Sequence, residues 1–117
     1  MHRFKDLAIW KRSRVFCSKI YGITSTFPES EKFGLSNQLR RASVPIPSNI
    51  AEGSSRKSNK DFSRFLEIAL GSAYEIETQL LIAFDLNFIS EEELLPLSNK
   101  QNEIIKMISK FKSTLKY

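Results

Sequence analysis

The sequence predicts an all-α fold, an antiparallel up-down-up-down four-helix bundle, and three observations support this prediction. Apolar residues recur at intervals of three and four along nearly the whole 117-residue chain, and no segment shows the strict alternation of a strand. Glycine and proline are sparse, at four each. Two breaks in the pattern carry a serine followed three residues later by an acid, which is a helix-start signal. Short connections favour antiparallel neighbours, here in one domain over residues 1–117.

The first helix is predicted from about Asp6 to Thr26, because Pro28 disfavours helical conformation at the residue before it. Its apolar residues cover more than one side of the helix: Leu7, Ala8, Ile9, Trp10, Val15, Phe16, Cys17, Ile20, Tyr21 and Ile23. Such a helix either lies deep in a core or touches two neighbours. In a bundle this small, the second alternative implies another subunit, so we expect a homo-oligomer.

The second helix is predicted to begin with Ser36 as its N-cap and to contain both Pro45 and Pro47. Each proline costs about 3 kcal/mol in a regular helix interior. The apolar spacing nevertheless continues across them through Ala42, Ile46 and Ile50. We therefore expect a helix that is kinked or broken near Pro45–Pro47, its unpaired backbone groups bonded by Ser43, Ser48 and Asn49. A break into two shorter helices is the alternative to a kink.

The last two helices have clear boundaries. The third is predicted to begin at Ser58, which has capping-box spacing with Asp61, and to end near Asn87. The fourth opens with Ser90 and Glu93, a second capping box that also puts carboxylates at the positive end of the helix dipole. Its apolar stripe then continues to the C-terminus.

Four stretches carry a resemblance to a known family: "FKDLAIWKRS", "FPESEKFGLSNQLRRA", "QLRRASVPIPSNIAEG" and "RFLEIALGSAYEIETQL". On these stretches, nearly the whole chain resembles the four-helix-bundle protein family, also called the 23S rRNA intervening-sequence protein or S23 family. Pro45 departs from the usual pattern of the family. The resemblance implies a left-handed bundle that assembles as a homopentamer. The accessory variability determinants of diversity-generating retroelements are similar in fold, which implies basic surfaces for nucleic acid and a partner enzyme such as a reverse transcriptase.

Catalytic and metal chemistry are not predicted. His2 is the only histidine and Cys17 the only cysteine, and neither the Glu-x-x-His pattern of di-iron bundles nor a zinc cluster occurs. We expect His2 to lie in a frayed terminus and Cys17 to pack as a small apolar residue. Glu67 and Glu75 lie on one side of the third helix, so a carboxylate pair for acid–base catalysis is the alternative. A solvated or subunit-facing surface explains them better, and we predict no catalytic residue, cofactor or metal.

The charge distribution gives the strongest functional indication. The net charge is +5, yet residues 65–99 contain seven acidic residues and no lysine or arginine. Four cations fall within residues 56–64, among serines and beside a helix start, which suits contacts with phosphate. The candidate nucleic-acid-binding residues are Arg12, Arg40, Arg41, Arg56, Lys57, Lys60 and Arg64.

These observations predict a non-enzymatic oligomeric protein that binds RNA or DNA electrostatically, without reading bases. A structural scaffold for protein partners is the alternative. No apolar run reaches the roughly 18 residues of a membrane span, and the charged N-terminus does not read as a signal peptide. A single cysteine fits a reducing compartment, so we expect a cytoplasmic protein without membrane association.

Overall fold

The computed structural model describes residues 2–117, and every regular element in them is helical. Five α-helices follow one another along the chain: α1 Ala8–Thr24, α2 Leu35–Ser43, α3 Pro45–Ser54, α4 Asn59–Asp85 and α5 Glu91–Thr114. Two short 3-10 turns, Phe4–Asp6 and Glu29–Glu31, precede α1 and α2. Because α2 and α3 continue one another through Val44, the five helices form four rods, which confirms the predicted four-helix bundle.

The second rod bends at Val44, as the two prolines predict. Pro45 and Pro47 are the first and third residues of α3. Amides at those positions have no acceptor within their own helix, so the missing N–H groups cost little there. The chain stays connected because the Val44 amide donates to the Arg40 carbonyl at 3.3 Å, while the Val44 carbonyl accepts from the Ser48 amide at 3.2 Å.

Side chains also stabilise this bend. The Asn49 Nδ2 donates to the Pro45 carbonyl at 2.8 Å, and the Ser43 hydroxyl donates to the Arg40 carbonyl at 3.0 Å. Ser43 and Asn49 thus bond backbone carbonyls beside the bend, as expected, but these are not the Arg41 and Ser43 carbonyls whose helical donors the prolines remove. Ser48 is exposed, and only its backbone takes part.

The boundaries of the other helices follow from local chemistry. Ser90 and Glu93 form a complete capping box at the start of α5, and Asn87 takes a positive φ of 63° just after α4. Ser58 caps α4 by accepting from the Asp61 amide at 3.1 Å. The prediction that Ser36 caps the second helix is wrong. That helix begins one residue earlier, and Ser36 is buried.

The true cap of α2 comes from the preceding turn. The Glu31 carboxylate accepts a hydrogen bond from the Leu35 amide at 3.0 Å, which places an anion at the N-terminus of the helix. Gly34 fills the N-cap position itself. A side chain placed on Gly34 would come within 2.8 Å of the Glu31 carboxylate, so glycine leaves room for this contact.

The core is one cluster to which all four rods contribute. Its large apolar side chains with less than 2% exposure are Phe16, Ile20, Leu39, Ile46, Ile50, Phe62, Leu66, Ile76, Leu80 and Ile108. Gly53 lets α3 cross α4 closely, because a Cβ there would come within 2.8 Å of both Phe62 and Phe65. Helix α4 packs against α2, α3 and α5, while α1 packs against α2, α3 and α5. Consequently α1 and α4 occupy opposite corners of the bundle.

The molecule is elongated, with extents of 45 × 24 × 20 Å. None of the helices in residues 2–117 combines the length and the apolar character that a bilayer crossing needs.

Candidate nucleic-acid interface

The two ends of the bundle carry opposite charge. At one end the α3–α4 connection meets both termini, since Asn59 Nδ2 donates to the Lys116 carbonyl at 2.9 Å and His2 packs against Phe62. We call this the basic end, and its cations are Arg3, Lys5, Arg56, Lys57, Lys60, Arg64 and Lys116. The opposite end holds the α1–α2 and α4–α5 connections and a group of acids: Glu29, Glu31, Asp85, Glu91, Glu92 and Glu93.

Two of the predicted arginines flank one aromatic ring at the basic end. The guanidinium carbons of Arg56 and Arg64 lie 4.8 and 5.6 Å from the centre of the Phe65 ring. Arg56 also pairs with Glu52 at 2.9 Å, and Arg64 with Asp61 at 3.6 Å. These contacts orient both guanidinium groups. Each group has five N–H donors, so one carboxylate contact leaves donors available for another anion.

The two lysines of this group have no such partner. Lys57 lies in the α3–α4 connection and Lys60 in the first turn of α4, and both are exposed. Among the described residues, neither has a carboxylate oxygen within 4 Å. The first amides of α4 also lie here without an acceptor in the helix, and they add partial positive charge. Phosphate would find both charge and hydrogen-bond donors at this point.

Lys116 belongs to the same surface and was not among the predicted residues. Its carbonyl accepts the hydrogen bond from Asn59, and Tyr117 Oη lies 3.5 Å from Ser63 Oγ, so the C-terminal residues run beside the start of α4. The sequence contained a usable signal. In an antiparallel hairpin of helices with 27 and 24 residues, the start of α4 and the end of α5 must meet.

Arg40 has a role inside the chain. Its Nε donates to Thr24 Oγ1 at 2.8 Å, its Nη2 reaches the Tyr21 carbonyl at 3.5 Å, and its guanidinium lies 5.0 Å from the Tyr21 ring centre. Tyr21 and Thr24 are in the last turn of α1, where carbonyl groups lack helical partners and a cation is favourable. Arg40 thus tethers α2 to the C-terminus of α1.

The remaining two candidates lie on separate faces. Arg12 forms an ion pair with Glu103 and connects α1 to α5. Arg41 is exposed on α2 and borders a polar groove that it shares with Asn37, Gln38, Glu75 and Gln79. The seven predicted residues are therefore distributed over several surfaces, and the structure brings together only Arg56, Lys57, Lys60 and Arg64.

The residues considered for catalysis or metal binding are far apart. The prediction that His2 lies in a frayed terminus is wrong, because its ring packs edge-on against Phe62 and Phe111 at centroid distances of 5.2 and 5.6 Å. The half-buried Cys17 has its Sγ 3.3 Å from Ser43 Oγ. Within the described part of the chain, no three His, Cys, Asp or Glu side chains converge as metal ligands.

Glu67 and Glu75, the alternative pair for acid–base catalysis, both lie at the surface. Glu67 pairs with Lys112 at 3.1 Å and is largely exposed. Glu75 lies on the same outer side of α4, as its spacing from Glu67 predicts, and is also exposed. Both therefore face outward from α4 rather than into the core.

Comparisons with known proteins agree with this architecture. The family model described as 23S rRNA-intervening sequence protein matches residues 5–110. A crystal structure from Bacteroides thetaiotaomicron, described as a protein of unknown function from the S23 ribosomal protein family, has 28% sequence identity and a TM-score of 0.85. The match covers 92% of this chain and all of that one. No curated protein matches the sequence significantly. Because the family model spans most of the chain, the protein belongs to the 23S rRNA-intervening sequence protein family.

Proposed function

We propose that the protein is a non-enzymatic, self-assembling bundle protein that binds RNA or DNA through phosphate contacts at its basic end. The observation that carries this proposal is the pair Lys57 and Lys60. Both are exposed, both stand at the N-terminus of α4, and neither has a carboxylate partner within 4 Å in the described chain. Uncompensated cations of this kind attract polyanions and release counterions when they bind them.

The surrounding residues support phosphate recognition rather than base reading. Arg56 and Arg64 are held by Phe65 and by single carboxylates, so they present oriented N–H donors beside the two lysines. Lys116 adds a fifth cation. Phosphate contacts fix the position of a strand without reading its sequence. The proposal leaves out Arg12 and Arg40 because they lie away from the basic end: Arg12 bridges α1 and α5 through Glu103, and Arg40 contacts the C-terminus of α1.

Self-assembly and a partner enzyme complete the proposal. The family resemblance implies five copies in the assembly. Several basic ends on one particle would bind a nucleic acid more tightly than one basic end alone. A reverse transcriptase is the type of partner implied by the likeness to accessory variability determinants. Light scattering of the purified protein tests the number of copies. Affinity purification from the native cell, with and without nuclease, tests for the enzyme.

The nucleic-acid proposal is tested with a 20-nucleotide RNA of mixed sequence, used as a single strand and as a duplex. We expect affinity to fall steeply between about 50 and 200 mM salt. The double variant Lys57→Ala/Lys60→Ala should bind more weakly at every salt concentration, and the slope of log K against log salt should decrease by about two. Its assembly should be unchanged.

The matched control is Lys32→Ala/Lys106→Ala, which removes the same charge from two exposed lysines away from the basic end. Equal loss of affinity in both double variants would mean that net charge alone attracts the RNA, and it would overturn the assignment to the basic end. Salt-independent binding would overturn the electrostatic mechanism.

A scaffold for another protein is the second candidate, and exposed apolar side chains on α4 favour it. Ile68, Tyr74, Leu81 and Ile82 are each more than 40% exposed. If one protein co-purifies after nuclease treatment and charge variants at the basic end leave it bound, the scaffold function is supported over nucleic-acid binding.

A further inference from the structure

The outer side of α4 is an unusually apolar surface for an exposed helix face. Ile68, Tyr74, Leu81 and Ile82 point away from the core, opposite to the buried stripe through Leu66, Ala69, Ala73, Ile76 and Leu80. On α1, whose apolar residues are predicted to reach a second subunit, only Val15 and Tyr21 are exposed to a similar degree. Several exposed apolar side chains on the outer side of one helix indicate an interaction surface.

A glycine lies at the centre of this surface, although no contact within the monomer requires glycine there. Gly71 follows Ile68 and precedes Glu75 at helical spacing, and a Cβ placed on it would meet no atom within 4 Å. Glycine is unfavourable in the middle of a helix, so an open position usually has another residue. Close approach of a second molecule explains its presence, whereas Gly53 already has such an explanation inside the chain.

A groove of matching character runs along the opposite side of the bundle, between α1 and α5. One part of it is a cavity of about 210 Å³, whose lining includes the apolar side chains of Val15, Phe16 and Ile104 together with Lys11 and Lys100. A second cavity continues the groove past Lys19 and Gly22, and Lys100 borders both cavities. Gly22 is the other helical glycine whose Cβ would meet nothing within 4 Å.

The two surfaces also have complementary charge. The apolar side chains of α4 are flanked by Glu75 and Asp85, and residues 65–99 contain no lysine or arginine at all. The cations that line the groove are Lys11, Arg12, Lys19 and Lys100. The two acids in its lining are engaged within the chain, since Glu103 pairs with Arg12 and Glu93 accepts from the Ser90 amide. In residues 2–117, the charged groups of Glu75, Asp85, Lys11, Lys19 and Lys100 have no ion-pair partner within 4 Å. Acids around one apolar surface and cations around the other favour contact between them.

We propose that the outer face of α4 of one copy docks into the α1–α5 groove of a second copy. This inference rests on the self-assembly in the proposed function, and it names the two surfaces that join. Since the surfaces differ, the contact is heterologous and repeats around a closed ring or along a filament. Helices α1 and α4 do not pack against each other in the described chain, so one copy can use both surfaces at once.

The two open glycines provide the experiment, because a side chain at either position fits the monomer. Gly71→Lys puts bulk and positive charge on the α4 face, and Gly22→Glu puts bulk and negative charge on the groove. Light scattering and sedimentation should find each variant as a 13.5 kDa monomer, while the unchanged protein forms larger particles. Ser48→Lys and Ser48→Glu, on an exposed position of α3, are the matched controls and should assemble normally.

Mixing the variants tests the pairing itself. Gly71→Lys retains an intact groove and Gly22→Glu retains an intact α4 face, so an equimolar mixture should form dimers and no larger species. A mixture that stays monomeric overturns the proposal. Loss of assembly in Gly71→Lys alone, with Gly22→Glu unaffected, also overturns it, because α4 would then pack against α4.

The oligomeric state of the unchanged protein distinguishes a failure of self-assembly from a wrong choice of surfaces. If the unchanged protein is a monomer at tens of micromolar, self-assembly itself is wrong and the docking proposal fails with it. If the unchanged protein assembles and both variants assemble equally well, self-assembly stands and only this choice of surfaces is wrong. Circular dichroism of each variant establishes that the helices remain folded.

Discussion

Arg40 on α2 donates a hydrogen bond from Nε to Thr24 Oγ1, in the last turn of α1, at 2.8 Å. Thr24 in turn donates to the Ile20 carbonyl at 2.8 Å, so the arginine continues a chain of hydrogen bonds that closes the C-terminus of α1. The same guanidinium covers the Tyr21 ring. One side chain thus supplies charge, hydrogen bonding and packing at the junction of two rods.

This relationship predicts the effect of removing the arginine. Arg40→Ala should lower the free energy of unfolding by about 1–2 kcal/mol, because a charge-assisted hydrogen bond and a ring contact are lost together. Arg40→Lys should recover only part of the loss, since an ammonium group cannot reproduce the planar guanidinium. Urea unfolding followed by circular dichroism measures both. The neighbouring Arg41→Ala is the control and should stay within about 0.5 kcal/mol of the unchanged protein.

The two helical glycines Gly53 and Gly71 should respond in opposite ways to the same substitution. Gly53→Ala should destabilise the protein by about 1–3 kcal/mol, because the new methyl group would come within 2.8 Å of Phe62, in the core, and of the half-buried Phe65. Gly71→Ala should stabilise the monomer by up to about 1 kcal/mol, since alanine is the better helix former and nothing obstructs it. Thermal unfolding at a concentration too low for self-association measures the difference. Equal effects of both substitutions would contradict the packing described for α3 and α4.

Gln101 offers a test of a polar side chain in the core. It is 1% exposed, and its Nε2 donates to the Ala73 carbonyl at 2.7 Å while its Oε1 is buried without a partner in the described chain. Gln101→Leu should therefore leave stability within about 1 kcal/mol or raise it, because the unpaired oxygen is removed and the volume is kept. Gln101→Ala should cost about 2 kcal/mol or more through the cavity it leaves. Chemical unfolding of the two variants side by side distinguishes them. A large loss of stability in Gln101→Leu would contradict this, because the hydrogen bond from Gln101 to the Ala73 carbonyl would then outweigh the cost of the unpaired oxygen.

The capping box of α5 gives a prediction that local sequence alone supports. Ser90 Oγ accepts from the Glu93 amide at 3.1 Å, and the Glu93 carboxylate accepts from the Ser90 amide at 2.9 Å. Ser90→Ala should cost about 1 kcal/mol of unfolding free energy. Ser109→Ala, at an exposed position inside the same helix, should change stability by less than 0.5 kcal/mol. A Ser90→Ala variant as stable as the control would mean that Glu93 alone suffices at this terminus.

The parts of the fold that could be predicted are those decided within a few residues of chain. Ser90 and Glu93 are three apart, Asn87 and the prolines act on their own backbone, and apolar spacing along α4 is a property of one helix. Ser36 was misassigned because the cap of α2 is provided by Glu31, from a turn that no periodicity describes. His2 was misassigned because its place depends on Phe62 and Phe111, which are distant in sequence.

The candidate site was harder to predict for the same reason. Arg56, Lys57, Lys60 and Arg64 are close in sequence and stayed together in the structure. Arg40 and Arg41 are equivalent in the sequence, but adjacent residues of a helix point in different directions, and it is Arg40 that reaches Thr24 on α1. Lys116 joins the basic end from the far end of the chain, through the contact of its backbone with Asn59.

The separation of charge between the two ends of the bundle has a consequence for any assembled form. If copies related by rotation are aligned along their 45 Å axes, every basic end emerges on the same rim and every acidic end on the other. The particle would then have one basic and one acidic rim, and a nucleic-acid strand would bind the basic rim and be repelled from the acidic one. Two such particles would stack head to tail in preference to head to head.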